Sequence, residues 1–461
     1  MSLMLVMQDA TQPLGAAREA LDTPFAQRLM GLVGMATMIG LAWLASTNRR
    51  RVNWRLVGVG VVLQGAFGLL VLKTVVGRAL FRAANAVFLQ LLGFTEQGAR
   101  FIFGNIVKNN VPVGPVIGGP PPDTAPLQSV ELWANTGAFF AFSVLPTIIF
   151  FSSLMSVLYY LGIMQRVVQG MAWAIQRVMG TSGAETLSVT GNIFVGQTEA
   201  PLLIKPFVGT MTYSELATVM VGGFATIAGG VMAAYVAMLS PYFQDIAGHL
   251  LTASVMNAPA ALLISKILVP ETETPVTKGQ LGITIERTEA NVIDAAAGGA
   301  SQGLQLAFNV GGMLLAFVAL IAMLNYLIGS LGGLVGLEHL TIEQILGWIL
   351  WPVAWLMGVP AADAGTVGAL IGVKAVLTEF IAYLQLAGTM AVPDALSPRS
   401  AIIATYALLG FANLPSIAIQ IGGIGGIAPE RRGDLSRLGL RAMVGGNLAA
   451  FMSASLAGML I

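Results

Sequence analysis

Apolar runs long enough to cross a bilayer recur along this chain, separated by short polar segments or by breaks rich in glycine and proline. A stretch of 18 or more predominantly apolar residues spans the hydrocarbon as a helix. The pattern predicts eight such spans: Leu29–Ala45, Leu56–Val76, Phe139–Tyr160, Leu216–Leu239, Leu250–Val269, Leu304–Leu331, Ala401–Gly426 and Met443–Leu460. Two regions are too interrupted for one continuous helix: Gly180–Met211, and the stretch from Gly358-Val359-Pro360 to Thr378-Glu379-Phe380-Ile381-Ala382-Tyr383. Both suit re-entrant hairpins. Residues 78–130 carry Arg78, Arg82 and Arg100 on amphipathic stretches and then a breaker run, Gly114–Pro122, which predicts interfacial helices followed by a loop. The span Leu216–Leu239 holds four glycines between Gly222 and Gly230, a place for close helix packing or for unwound backbone.

Composition fixes the environment. Of 461 residues, 56% are hydrophobic and only 10% charged, with a mean hydropathy of +0.79. Soluble domains carry roughly a quarter charged residues. The fold class is therefore an all-α integral membrane protein. The absence of cysteine excludes disulfides, thiolate catalysis and cysteine metal sites, and the two histidines, His249 and His339, are far apart in sequence. A formal net charge of +1 offers nothing to nucleic acid. The first 26 residues lack a basic segment followed by a small-residue cleavage site, so no signal peptide is expected. Arg49, Arg50, Arg51 and Arg55, and later Arg431, Arg432 and Arg437, mark cytoplasmic loops. The N-terminus is then outside. Arg78, Arg82 and Arg100 run against this simple charge rule.

The two halves echo each other. Gly223-Phe224-Ala225-Thr226 corresponds to Gly410-Phe411-Ala412-Asn413, and Thr198-Glu199 to Thr378-Glu379. Each half runs from a broken hairpin with a glutamate, through a glycine-broken span, to a closing span. Counting crossings puts the first hairpin on the cytoplasmic side and the second outside. An inverted repeat with discontinuous helices at its centre is an architecture of secondary transporters, with the site near the midplane. Polar groups at that depth are costly and mark function. The run Gly191-Asn192-Ile193-Phe194-Val195-Gly196-Gln197-Thr198-Glu199-Ala200-Pro201 is the densest such cluster. Glu199 and Glu379 supply acceptors, Gln197 and Asn413 both donors and acceptors, Thr198 and Ser416 hydroxyls. Without an arginine clamp the set suits a neutral, hydroxyl-rich, amide-bearing solute rather than a phosphate or carboxylate. Lys205 and Lys374 are the nearest cations, expected to snorkel at the hairpin bases.

Gly196-Gln197-Thr198-Glu199-Ala200-Pro201-Leu202-Leu203-Ile204-Lys205-Pro206-Phe207 resembles the signature of the concentrative nucleoside transporter family. So do Thr210–Leu216, Ala258-Pro259-Ala260-Ala261-Leu262, Glu379–Tyr383 and Ala428-Pro429-Glu430-Arg431-Arg432, in that order along some 320 residues from about Phe139 onward. The two N-terminal spans resemble those of the prokaryotic branch. The resemblance implies that Gln197, Thr198 and Glu199 recognise the base, with Val231 packing on it. It implies that Glu379, Asn413 and Ser416 take the ribose hydroxyls and that Phe411 borders the site. It further implies a sodium site from Asn192, the carbonyls of Val195 and Ile227, and the side chain and carbonyl of Thr226. Pro415 departs from the expected pair and removes a backbone donor beside Ser416.

The expectation is thus a nucleoside symporter of the cytoplasmic membrane, with eight spans and two oppositely oriented re-entrant hairpins. Sodium is favoured as coupling ion over a proton carried by Glu199 or Glu379. No organic cofactor is expected. Scaffold segments are expected at 1–130, 131–178 and 270–335, and transport-unit repeats at 179–269 and 336–461. The family implies a homotrimer with elevator-like motion. An intramembrane enzyme using Glu199 and Glu379 as an acid/base pair is the rival, but it lacks a nucleophile or metal set.

Overall fold

A computed structural model describes residues 23–108, 110–113, 132–135, 140–279, 289–333, 336 and 340–461. The Gly114–Pro122 run, His339 and the middle of the polar stretch after Pro270 lie outside the described residues. In chain order the helices are α1 Phe25–Leu44, α2 Trp54–Lys73, α3 Val75–Phe103, α4 Leu145–Tyr160, α5 Ile163–Met179, α6 Gly183–Gly191, α7 Lys205–Val208, α8 Tyr213–Ala225 and α9 Gly229–Leu239. There follow α10 Ile246–Leu268, α11 Val292–Gly333, α12 Ile342–Leu356, α13 Ala361–Val376, α14 Glu379–Met390, α15 Pro398–Leu408, α16 Leu414–Ile427 and α17 Arg432–Leu460. One short ribbon pairs Asn110–Val113 with Leu132–Asn135, antiparallel.

Among the described residues eight helices are long and apolar enough to cross a membrane. Their membership differs from the expected eight in one exchange. Val75–Val107 qualifies, as a single helical run where several amphipathic stretches were expected. The expected span Ala401–Gly426 does not, because it is divided into α15 and α16 and neither half reaches span length. The helix expected from Leu304 begins a dozen residues earlier, capped by Asn291, whose Oδ1 accepts from the amides of Ile293 and Asp294. Its 42 residues give a rod of about 63 Å, twice the ~30 Å hydrocarbon thickness.

Both interrupted regions fold as hairpins. The first is α6, a turn over Asn192–Glu199, a 3₁₀ segment Ala200–Ile204, and α7. The second is α13, Leu377-Thr378, and α14; α12 precedes it and meets α13 at a bend of 117°. The broken span resolves as α8, the unwound Thr226-Ile227-Ala228, and α9. Its second-half counterpart is α15, Leu409–Asn413, and α16. The two breaks touch. Gly410 has φ +105°, and a Cβ there would stand 2.5 Å from the Phe224 carbonyl oxygen. Only glycine accepts that dihedral without strain.

Capping networks anchor each hairpin base, buried in the first half and partly buried in the second. In the first half Ser182 and Glu185 form a capping box on α6, and Thr212 and Glu215 another on α8. Ser182 Oγ donates to Glu215 at 2.5 Å, joining the two boxes. Lys266, buried on α10, pairs with Glu185 at 2.8 Å and Glu271 at 3.2 Å. In the second half Asp363 at the start of α13 accepts from Ser397 and Ser400 in the cap of α15, at 2.5 and 2.6 Å. Arg399 then ties the Gly358 and Gly458 carbonyls together.

Removing one partner of a buried pair leaves an uncompensated charge, a loss of about 3–5 kcal/mol. Lys266→Met should accordingly lower the unfolding temperature of the detergent-purified protein sharply, and Lys266→Met combined with Glu185→Gln should restore part of it. An unchanged transition in the single variant would show that water reaches the pair.

Candidate functional site

At the first hairpin tip the chain leaves α6 at Asn192, whose amide N–H still bonds to the Ser188 carbonyl. The turn then carries Gln197, Thr198 and Glu199 into a cavity. Gln197 is buried and donates from Nε2 to Ser416 Oγ at 3.2 Å, while its Oε1 accepts from Gln420 Nε2 at 3.0 Å. Thr198 packs its methyl against Gly423 of α16, where a Cβ would stand 2.7 Å away. Glu199 is exposed to the cavity space.

The second tip is built differently. Thr378 caps α14, so Glu379 sits at the helix N-terminus, where the backbone dipole favours a carboxylate. Glu379 is nine-tenths buried or more, at 4% exposure. Its Oε1 accepts from the Tyr235 hydroxyl at 2.9 Å and its Oε2 from Asn413 Nδ2 at 2.7 Å. Tyr235 is itself stacked on Tyr383, with ring centroids 4.2 Å apart. Asn413 does double duty as N-cap of α16, its Oδ1 accepting from the Ser416 amide at 2.9 Å. Pro415 falls in the first turn of α16. The N–H it lacks is one that a first helical turn leaves without an intrahelical partner anyway, so the removed donor costs no ladder bond.

One cavity of about 850 Å³ is lined by all eight residues expected to touch the solute: Gln197, Thr198, Glu199, Val231, Glu379, Phe411, Asn413 and Ser416. Its far wall is apolar and comes from α11, with Leu306, Val310, Met313, Leu314 and Phe317. Phe224 does not line it and is fully buried between the helices. A second cavity, of about 1290 Å³, shares Gly196, Glu199, Ala228 and Leu306 with the first and runs along α4 past Tyr159 and Gln165. Thus Glu199 faces both spaces.

The four residues expected to hold a cation lie where the first hairpin turn meets the first break. The Gly229 amide donates to the Phe194 carbonyl at 2.9 Å, joining the two segments. Asn192 is buried, and its Oδ1 has no hydrogen-bond partner. Thr226, equally buried, donates its hydroxyl to the Gly222 carbonyl at 2.9 Å and keeps lone pairs to spare. An unpaired amide oxygen beside unwound backbone fits a hard monovalent cation. Among the described residues no cluster of three or more His, Asp or Glu forms an alternative metal site.

Lys374 corrects an expectation. It does not snorkel; it is fully buried and donates to the carbonyls of Ala407 and Leu409, at 2.9 and 3.2 Å, at the end of α15. Lys205 is exposed at the start of α7. Two further residues escaped the sequence reading. Asn257 Nδ2 donates to the Ala225 carbonyl at 2.6 Å, and Asn447 Nδ2 to the Ala412 carbonyl at 2.9 Å. Ala225 and Ala412 occupy the same place in the echoed motif. Each break is therefore held by an asparagine from the span that follows it. A lone amide in an otherwise apolar span is the signal that could have found both.

A family profile described as Na+ dependent nucleoside transporter C-terminus matches residues 249–458, and its N-terminal counterpart matches residues 33–106. A profile described as nucleoside recognition matches residues 141–242. An uncharacterized transporter of Haemophilus influenzae is 43% identical over 437 residues, 94% of this chain and 98% of the relative. The nucleoside permease NupC of Helicobacter pylori is 40% identical over 94% of this chain and 98% of its own. Sodium/nucleoside cotransporter 1 of Mus musculus is 39% identical, again over 94% of this chain but 64% of the longer mouse protein. Among solved structures, CNTnw in an inward-facing substrate-bound state superposes with a TM-score of 0.81 at 43% identity, covering 94% of this chain and 97% of that one. A CNTnw variant in an outward-facing state gives a TM-score of 0.84 at 41% identity, covering 95% and 99%.

If the asparagines hold the breaks, Asn447→Ala and Asn257→Ala each orphan one buried carbonyl, a cost of about 1–3 kcal/mol. Thermal unfolding in detergent should fall for both variants by similar amounts. A drop for one only would show that the two breaks are not supported alike.

Proposed function

The chain belongs to the concentrative, Na+-dependent nucleoside transporter family, and from that premise we propose that it is a cation-coupled symporter importing nucleosides across the cytoplasmic membrane. The observation that carries the reading is the cavity between the two hairpin tips, lined by a donor–acceptor set and by apolar side chains of α11. Such a site is mostly apolar with a few convergent polar groups, as small-molecule sites are.

Glu379, pre-oriented by Tyr235 and Asn413, presents a fixed acceptor to the ribose hydroxyls. Ser416 and Asn413 complete that end. Gln197, Thr198 and Glu199 meet the base, Val231 packs against it, and Phe411 borders it. Sodium, as co-substrate, is held by Asn192, Thr226 and the carbonyls of Val195 and Ile227; its charge is met first by the unpaired Asn192 Oδ1. The hairpins and broken helices of 179–269 and 336–461 form the transport unit, and the long α11 with the early spans forms the scaffold of a homotrimer. Motion of the unit past the apolar face of α11 exposes the cavity to either side in turn. The second cavity, which shares Glu199 with the first, is the inner route.

Glu199→Gln and Glu379→Gln each remove an anionic acceptor. Concentrative uptake of uridine and adenosine by cells should fall at least a hundredfold in both, with membrane expression retained. Accumulation at the parent level in both would sink the site assignment. Proteoliposomes given an inward sodium gradient should accumulate nucleoside, and those given only a proton gradient should not. The reverse result would keep the transporter and move coupling onto a carboxylate.

A further inference from the structure

Gln420 lies on α16 one turn beyond Ser416 and lines neither cavity. It is fully buried, and its Nε2 makes two hydrogen bonds, to the Met220 carbonyl at 3.2 Å and to Gln197 Oε1 at 3.0 Å. We infer that Gln420 is a specificity-determining positioning residue, which locks the Gln197 amide so that only its N–H side faces the solute. This rests on the reading of the cavity as the nucleoside site.

The direction of the lock follows from one group that cannot change roles. The amide of a glutamine can present either end, and which end faces where is decided by its partners. A backbone carbonyl only accepts. The Met220 carbonyl therefore requires the NH₂ of Gln420 to point at it. That NH₂ then points at Gln197 as well, so Gln197 must answer with its oxygen. Its own NH₂ is left to face Ser416 Oγ, 3.2 Å away, and the cavity. With its Oγ accepting from Gln197, Ser416 has its hydroxyl hydrogen free to donate. The relay thus starts at a backbone carbonyl and ends in two donors at the solute. Flipping Gln197 would set its NH₂ against the NH₂ of Gln420; the Ser416 hydroxyl can turn to donate to either end, so the Gln420 joint alone sets the direction.

The fold makes room for this relay at one place. A Cβ on Gly223 would stand 2.7 Å from Gln420 Nε2 and 3.1 Å from Gln197 Cβ. Glycine in the echoed Gly223-Phe224-Ala225-Thr226 motif therefore admits the two side chains side by side. Ser416 stands between the Gln197 amide and the Asn413–Glu379 pair, so the lock sets a fixed N–H donor at Gln197 beside the fixed acceptor Glu379. A solute with acceptors on its base edge and donor hydroxyls on its sugar matches both.

The test is a competition series on uridine uptake. Cytidine and uridine share O2 but exchange donor and acceptor at N3 and at the C4 substituent; 2′-deoxyuridine alters only the sugar. In Gln420→Met, which can neither donate nor accept as an amide does, Gln197 is free to turn. The ratio of half-inhibitory concentrations for cytidine and uridine should shift by about fivefold, the worth of one neutral hydrogen bond. The ratio for 2′-deoxyuridine and uridine should stay within about twofold. Gly223→Ala, which displaces Gln420 Nε2 while leaving both amides in the chain, should shift the same base ratio in the same sense. In a Gln197→Ala background, Gln420→Met should have no further effect on the base ratio, as expected for residues acting through one another. Where Gln420→Met fails to reach the membrane, Gln420→Asn, one methylene too short to span both partners, is read in the same way. Reduced uptake with both ratios unchanged in every variant that reaches the membrane would overturn the inference and leave Gln420 a packing residue. Absence of nucleoside uptake by the parent protein would instead overturn the functional reading on which it rests.

Discussion

Unwound backbone in apolar surroundings must find its hydrogen bonds within the protein, because each unsatisfied group costs several kcal/mol in hydrocarbon. The rest of this structure is arranged around that constraint at two breaks, Thr226–Ala228 and Leu409–Asn413. Asn257 and Asn447 hold the carbonyls of Ala225 and Ala412. Lys374 takes two more, from Ala407 and Leu409, which explains how its amino group is accommodated at full burial on a membrane hairpin. Gly410, at φ +105° and with no Cβ to strike the Phe224 carbonyl, lets the two breaks pack together. What is left over after these pairings is the chemistry: Asn192 Oδ1, the lone pairs of Thr226, and the side chains around the cavity.

The repeat is symmetric in frame and asymmetric in consequence. Both hairpins place a Thr-Glu pair at the tip, yet Glu379 is buried and Glu199 is exposed. The difference traces to the residue that ends each echoed motif. At 413 it is asparagine, long enough to reach Glu379 while capping α16. At 226 it is threonine, whose hydroxyl turns back on the Gly222 carbonyl and reaches no glutamate. Tyr235 adds a second donor to Glu379 from α9. One carboxylate is thereby held rigid, and the other stands at the junction of two cavities, where a movement of the hairpin changes its surroundings.

How much of this was legible in the sequence depended on whether the signal was local. Hydropathy marked nearly every span, because apolar length is read directly from the chain. The break at Leu409–Asn413 split one expected span, since Gly410 and Pro415 act on dihedrals rather than on hydropathy. Of the eight residues expected to touch the solute, six stood out as polar groups at depth and Val231 came through motif resemblance, while the echo between halves already paired the two tips. Residues that act across the repeat carried no such mark. Gln420 is a single amide in α16, and its meaning comes from Gln197, more than two hundred residues earlier in the chain. Lys374 read as an amphipathic side chain near a hairpin base, because no sequence pattern shows that two carbonyls of another helix point at it. Lys266 likewise gains its role from Glu185 on a different element.

The turn from Asn192 to Glu199 connects the two halves of the chemistry by covalent proximity alone. Asn192 stands at its entrance, beside the first break, and Gln197 stands five residues on, inside the cavity and bonded to α16. The Phe194 carbonyl between them is pinned to the Gly229 amide, so the turn has few independent ways to move. Whatever orders the Asn192 end therefore narrows the conformations open to Gln197, and whatever engages Gln197 narrows those open to Asn192. Such coupling between two ligands is reciprocal by linkage. An ion at the break and a solute in the cavity need no contact with each other to bind cooperatively; a shared stretch of eight residues is enough.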